Sequence, residues 1–317
     1  MEKIRENWID HIKVFACILV ATGHFFQSMC TSGILNAGPI YEWFIRTIYY
    51  FHVQLFFICS GYLYQKESKV CSFSTWRKHA LKKLLGLGIP YIVFSLLTWL
   101  MKFAFAGEVN TKTNSLWYDL FIHPMSPYWY LFALLFIFLI TGTFANKKNC
   151  CIGLASAALL KVCSGFLDCY ALNIVIGNLI WFVLGMAACV FRIETFVKKN
   201  VLLACILIGV FFGLSFLGVK ADFVMGLLAC SAVMLVFRAK ATKRCTLAGY
   251  TMPIYLMHTM FAAAARVCLL KLAIVSQPVH IIVGLLASFV GPIFAAEVMK
   301  RLKLDVLYRP GKYIKIN

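Results

Sequence analysis

Residues 8–29 read WIDHIKVFACILVATGHFFQSM. About twenty consecutive, mainly apolar residues are what a helix needs to cross the hydrocarbon core of a bilayer. Helix is the structure such a run can form there, because lipid offers no partner to the free backbone groups of an open strand. The run also lacks the short alternating segments of a barrel strand. It therefore reads as a transmembrane helix. It carries Lys13 and His24 and ends in Met29-Cys30-Thr31 without a small-x-small cleavage pattern, so it reads as a retained first span and not as a removed leader.

Runs of the same kind recur at about 41–64, 85–106, 127–146, 150–168, 171–191, 200–219, 222–238, 246–270 and 277–299. Together they predict an all-α, polytopic integral membrane protein of about ten spans, with one transmembrane domain over residues 1–317. Composition agrees. Of 317 residues, 62% are hydrophobic and 14% charged, whereas soluble domains carry about 25% charged residues. The longest loop, about 107–126, is too short for a separate domain.

The formal net charge is +19, a value that would suit nucleic acid, but the placement argues otherwise. Most of the 31 basic residues cluster at alternate loops: Lys3 and Arg5, Lys66 to Lys83, Lys147 and Lys148, Arg192 to Lys199, Arg238 to Arg244, and the tail from Lys300. The other side holds Lys102, Lys112, Lys161, Lys220, Arg266 and Lys271. This asymmetry is the positive-inside pattern. It puts both ends in the cytoplasm and makes the bilayer, not nucleic acid, the partner of most of this charge. Thirteen cysteines are scattered, mostly inside apolar runs, with no CxxC pair. Neither a disulfide framework nor a metal site is expected from them.

Ionisable groups inside a bilayer are costly and ask for a reason. In the first span Lys13 and His24 are eleven positions apart, which places them on one helix face, roughly 16 Å apart along the axis. Asp10 lies three residues before Lys13 and shares that face. A stripe Asp10, Lys13, Cys17, His24, Ser28 results. The plain readings are that Lys13 snorkels to the interface, paired with Asp10, and that His24 is a buried histidine bonded to a neighbouring helix. Their shared face favours a lined cavity instead.

The second span adds Arg46 and His52 and closes on Ser60-Gly61, a pair that permits close helix packing. Because this span runs back across the membrane, His52 falls in the same outer-to-middle zone as His24. A later span carries Pro253, Tyr255 and His258, with Arg266 beyond, and Pro253 is expected to kink it. Pro127-Tyr128-Trp129-Tyr130 opens the fourth span, where an interfacial aromatic belt is the plain reading.

These residues carry a resemblance. Lys13, ten residues and then His24, with Phe51-His52-Val53-Gln54-Leu55-Phe56-Phe57 running into Ser60-Gly61-Tyr62, resembles the acyltransferase type 3 family. Pro90-Tyr91, Trp129 and Tyr255-Leu256-Met257-His258 resemble its later blocks in the same order. The chain is similar to short, stand-alone members that lack an appended esterase-like domain. The resemblance implies transfer of acyl groups, usually acetyl, from a cytoplasmic thioester to hydroxyls of envelope or exported glycans. It implies acetyl-CoA or another acyl-CoA as co-substrate, with no permanently bound cofactor, and a bacterial plasma membrane location.

Histidine suits such chemistry, since its ordinary pKa is near 6.5. His24 is assigned as the catalytic base. Lys13 with Asp10 at the cytoplasmic mouth, and Lys78, Lys82 and Lys83 before the third span, are assigned to the acyl donor. His52, Arg46, Ser60, Trp129, His258 and Arg266 are assigned to the acceptor or to support. A homo-oligomer is compatible with all of this. Two other classes compete. A transporter of a small polar molecule or glycan intermediate could use the same cavity, and paired discontinuous spans would mark it. A scaffold subunit would leave Lys13, His24 and His52 without a purpose.

Overall fold

The computed structural model describes residues 6–108, 113–193, 201–241 and 243–313. Among them every regular element is helical. The helices are α1 (Asn7–Thr31), α2 (Pro39–Tyr49), α3 (His52–Glu67), α4 (Phe73–Lys83), α5 (Ile89–Ala104), α6 (Trp129–Ile140), α7 (Lys147–Ser164), α8 (Tyr170–Val190), α9 (Val201–Phe216), α10 (Asp222–Lys240), α11 (Thr251–Lys271) and α12 (Gln277–Arg301). A π-helical turn, Leu84–Gly88, joins α4 to α5 without a break.

Each apolar block of the sequence holds helix, but not each holds a membrane-length one. Among the described residues six stretches are long and apolar enough to cross: α1, α4 with α5, α8, α10, α11 and α12. The protein is thus an all-α membrane protein. Helices α6 and α9 are apolar but shorter. At 1.5 Å per residue α6 covers only about 18 Å. The fourth block does not continue to 146, because Thr141 to Phe144 leave the helix to bond elsewhere. The Thr143 N–H reaches the Val70 carbonyl at 3.2 Å, and the Thr141 carbonyl accepts from the Tyr64 hydroxyl at 2.7 Å.

The second block is broken at Tyr50 and Phe51 into α2 and α3. A break releases carbonyls that membrane cannot solvate, so they must find partners inside the protein. The Ile48 carbonyl accepts from the Phe51 N–H at 3.2 Å and from the His52 ring Nδ1 at 2.7 Å. The Phe51 carbonyl accepts from the Cys230 thiol at 3.8 Å. His52 thus closes the end of α2 from the first residue of α3.

Helix α1 sits centrally, packed on α3, α10, α11 and α12. Trp8, Ile12, Ala16, Cys17, Val20, Ala21 and Phe25 are all buried along it. It ends where Gly33 adopts a φ of +72° and the Ile34 and Leu35 N–H groups turn back to the Met29 carbonyl, a left-handed termination that glycine makes cheaply. Pro253 lies in the first turn of α11, where the missing N–H would have had no helical partner. It therefore starts that helix and does not kink it. The proline inside a helix is Pro292 of α12. The tail turns Asp305–Leu307 and Pro310–Lys312 fold back against α5 and the π-helical turn.

Candidate functional site

The α1 stripe survives, though not as an open groove along its length. At its lower end Asp10 and Lys13 are both part-exposed. Midway, Cys17 is buried and its thiol meets the Thr251 carbonyl at 3.5 Å. The face between Lys13 and His24 is therefore packed against α11. Two open surface depressions, of about 590 and 450 Å³, lie elsewhere. One is beside Val70–Phe73 and Gly142–Ala145, the other beside Asn114, Ser115, Tyr118 and His123.

His24 is half-buried and stands within a polar cluster. Its side chain hydrogen-bonds to Gln27. The Gln27 Oε1 accepts from the Tyr49 hydroxyl at 3.0 Å, and the Tyr49 ring lies 4.6 Å from the His52 ring. On the other side, the His258 ring of α11 lies 5.5 Å from that of His24, centroid to centroid. His52 and His258 are almost fully buried, at 3% and 1% exposure. The sequence placed His24 and His52 in one zone. The structure joins them through Gln27 and Tyr49 and adds His258 as a direct neighbour of His24.

Backbone carbonyls fix the tautomers of the two buried rings. His52 Nδ1 meets the Ile48 carbonyl at 2.7 Å, and His258 Nδ1 meets the Ile254 and Tyr255 carbonyls at 2.9 Å each. A carbonyl only accepts, so each Nδ1 carries the proton and each Nε2 keeps its lone pair. The His258 Nε2 is buried and has no protein partner within hydrogen-bond distance.

At the upper end of the stripe Arg266, 5% exposed, donates to the Ser28 hydroxyl at 3.0 Å and to the Glu108 carbonyl at 3.2 Å. It is engaged in holding the segment after α5 onto α1. Arg46 of α2 is half-buried, and its Nε has no hydrogen-bond partner. Ser60 hydrogen-bonds to Tyr130, whose ring packs against Phe57 at 4.9 Å and Tyr255 at 5.6 Å.

The aromatic run that opens α6 is not a simple interfacial belt. Trp129 is half-buried, but Tyr128 is fully buried. Its hydroxyl donates to the Leu256 carbonyl at 2.8 Å and lies 2.7 Å from the Thr98 hydroxyl. The Tyr255 hydroxyl bonds to the Pro127 carbonyl. These bonds fasten α5, α6 and α11 together next to His258.

Lys78 and Lys82 are exposed on α4, and the Lys83 ammonium lies 3.7 Å from the centre of the Phe138 ring. Helix α4 packs on α6, to which the Trp76 indole N–H is bonded through the Leu139 carbonyl at 2.7 Å. These lysines therefore sit on the helix that packs against α6, and Lys13 on α1.

A second charged cluster lies at the start of α1. Glu6 pairs with Lys66 and accepts from the Trp8 indole at 2.6 Å, while the Arg238 guanidinium sits 5.6 Å over the Trp8 ring. Burial pushes the Glu6 carboxyl up, but the hydrogen bonds from Lys66 and Trp8 and the charges of Lys66 and Arg238 outweigh it and hold the carboxyl below its ordinary value. Sequence reading missed this cluster, since it joins residues from three distant segments. Gln27 and Tyr49 were also missed. Gln27 had a usable signal, being three residues after His24 and so on its face.

The sequence profile of a family described as "Acyltransferase domain" matches residues 6–297. Nodulation protein NolL of Mesorhizobium japonicum (strain LMG 29417 / CECT 9101 / MAFF 303099) is 27% identical over 158 residues. That match covers 50% of this chain and 41% of the relative, so the chain spans less than half of that protein. No solved structure matches the chain.

Proposed function

The chain belongs to the acyltransferase family whose profile runs along nearly all of it, and from that premise we propose that it is a membrane-embedded O-acyltransferase. In this reading it moves acetyl from acetyl-CoA to a hydroxyl of an envelope or exported glycan. It lies in the cell membrane with about ten spans and both ends in the cytoplasm, as the basic loops require. The broken α2–α3 and the short α6 and α9 then count among the spans.

The observation that carries the reading is the polar setting of His24: a half-buried imidazole on α1, bonded to Gln27, with a second imidazole 5.5 Å away. A base at that place takes the proton from the attacking hydroxyl. The new O–C bond forms at the thioester carbonyl, the C–S bond breaks, and the departing thiolate takes the proton back from His24 as the free thiol. Lys13 with Asp10 meets the donor at the cytoplasmic end. Lys78, Lys82 and Lys83 supply positive charge for its phosphates. His52, Arg46, Ser60 and Trp129 border the acceptor's path, and Arg266 holds its outer rim.

A transporter reading gains one observation, the discontinuous α2–α3. It would call for a matching break in the other half, and among the described residues α10, α11 and α12 each run as one helix. The deciding experiment follows radiolabelled acetyl from acetyl-CoA into envelope fractions or onto a purified acceptor. Loss of a general base costs on the order of 10²- to 10⁴-fold, so His24→Ala protein should express and bind donor but lose transfer. Normal transfer by that variant would remove His24 from the chemistry.

A further inference from the structure

The buried His258 Nε2 needs an account. A lone pair taken out of water and left without a donor is costly, and such groups repay inspection. The ring is not free to turn away, because its Nδ1 is held by two carbonyls, Ile254 and Tyr255, at 2.9 Å each. Among the described residues nothing donates to Nε2. The neighbouring imidazole is that of His24, tilted by 34° at 5.5 Å between centroids. One water, or a modest turn of the His24 ring, spans that separation.

A neutral imidazole has one acceptor and one donor nitrogen. The donor nitrogen of His24 needs an acceptor, and the bare Nε2 of the neighbouring His258 ring can supply it.

We infer that His258 is the positioning residue of the His24 base: its Nε2 accepts the His24 N–H, directly or through one water, and so fixes the tautomer whose other nitrogen is bare toward the acceptor hydroxyl. This inference rests on the acyl-transfer reading of His24. The acceptor hydroxyl then donates to the bare nitrogen. As the proton moves onto His24, the bond to His258 strengthens, because the donor becomes an imidazolium. The geometry is that of a nucleophile's base oriented by a third group, with an imidazole anchored to backbone in place of a carboxylate. The other titratable groups around the pair include Tyr49 of α2, His52 of α3 and Tyr255 of α11. Phenols and thiols ordinarily ionise above neutrality, so a limb of the pH profile near neutrality reports the imidazoles.

The test uses the full chain in detergent or nanodiscs, with ¹⁵N-labelled histidine and with acetyl-CoA turnover. His258→Leu should lower kcat by about tenfold or more, move the acidic-limb midpoint of the pH profile, and change KM for acetyl-CoA less than about threefold. His258→Gln, which offers an amide oxygen near the Nε2 position, should restore most of the rate. The ring spectrum should show an Nδ1-protonated His258 whose Nε2 resonance shifts when His24 is replaced by Ala. An unmoved Nε2 resonance, or a folded His258→Leu protein with wild-type rate and pH profile, overturns the inference. The spectrum decides even if the leucine variant fails to fold. Absence of turnover in the wild type would count against acyl transfer itself, while the resonance shift would still report the pairing.

Discussion

Gly61 of α3 and Gly185 of α8 meet back to back: a Cβ at Gly61 would run into the Phe182 carbonyl, and a Cβ at Gly185 would run into the Ile58 carbonyl. Both obstacles are backbone, which cannot swing aside as a side chain can. This crossing joins the most extensively packed helix pair in the bundle, and it holds α3, with His52 and Ser60, in place against α8. Overpacking a tight interface costs about 1–3 kcal/mol. Gly61→Ala and Gly185→Ala should each lower the unfolding temperature in detergent, and the double variant should lower it by less than the sum, because one separation of the helices relieves both clashes. Full additivity would show that the two glycines do not share an interface.

The donor site makes a separate prediction. Lys13 is part-exposed and shares the base of the α1 stripe with Asp10. If its ammonium meets an anionic donor, removing that charge removes a hydrogen bond to a charged group, worth about 1.5–3 kcal/mol. Lys13→Ala should therefore weaken acetyl-CoA binding about tenfold or more by calorimetry. Lys13→Met, which keeps the apolar stem, should weaken it as well. Wild-type affinity in both variants would return Lys13 to a snorkelling role.

Arg266 was assigned from sequence to the acceptor side, and its bonds show a structural duty. It ties Ser28 of α1 to the Glu108 carbonyl. Arg266→Ala leaves both acceptors without their donor in a buried place, at a cost of about 1–3 kcal/mol for each group stranded. The unfolding temperature should fall, and Arg266→Lys, with one ammonium for two acceptors, should fall between. An alanine variant as stable as the wild type would show that these bonds contribute nothing to the fold.

What could be read in advance follows the range of each interaction. The helices and the Asp10–Lys13–His24 stripe were legible because hydropathy and helical spacing are local. The break at Tyr50 and Phe51 was not, since Tyr49, Tyr50 and Phe51 are apolar and hydropathy runs through them. Its cause is the set of partners that Ile48 and Phe51 find in His52 and Cys230. Pro253 misled for a related reason: a proline is a kink or a start depending on where the first turn falls. His258 was singled out in sequence, but its place beside His24 depends on α11 packing against α1. The Glu6 cluster draws on Lys66 and Arg238 and had no sequence signature at all.

That cluster yields a pH prediction. The Glu6 carboxyl is held below its ordinary value of 4.5, with burial opposing and the bonds from Lys66 and Trp8 prevailing. A carboxyl whose folded pKa is depressed binds its proton more readily in the unfolded chain. Its stabilisation is therefore fully present above pH 4.5 and is lost as pH falls below that value and through the depressed one. Lys66 is 37% exposed, so solvent screens part of the attraction, and the contribution at neutral pH should be about 1 kcal/mol. Glu6→Gln should melt about 2 °C below the wild type at pH 7. The gap should close as the buffer is taken below pH 4.5, and it should narrow in high salt at pH 7. A gap that stays constant with pH would mean that Glu6 acts through its shape and not through its charge, and the pairing with Lys66 and Arg238 would then have no part in holding the start of α1.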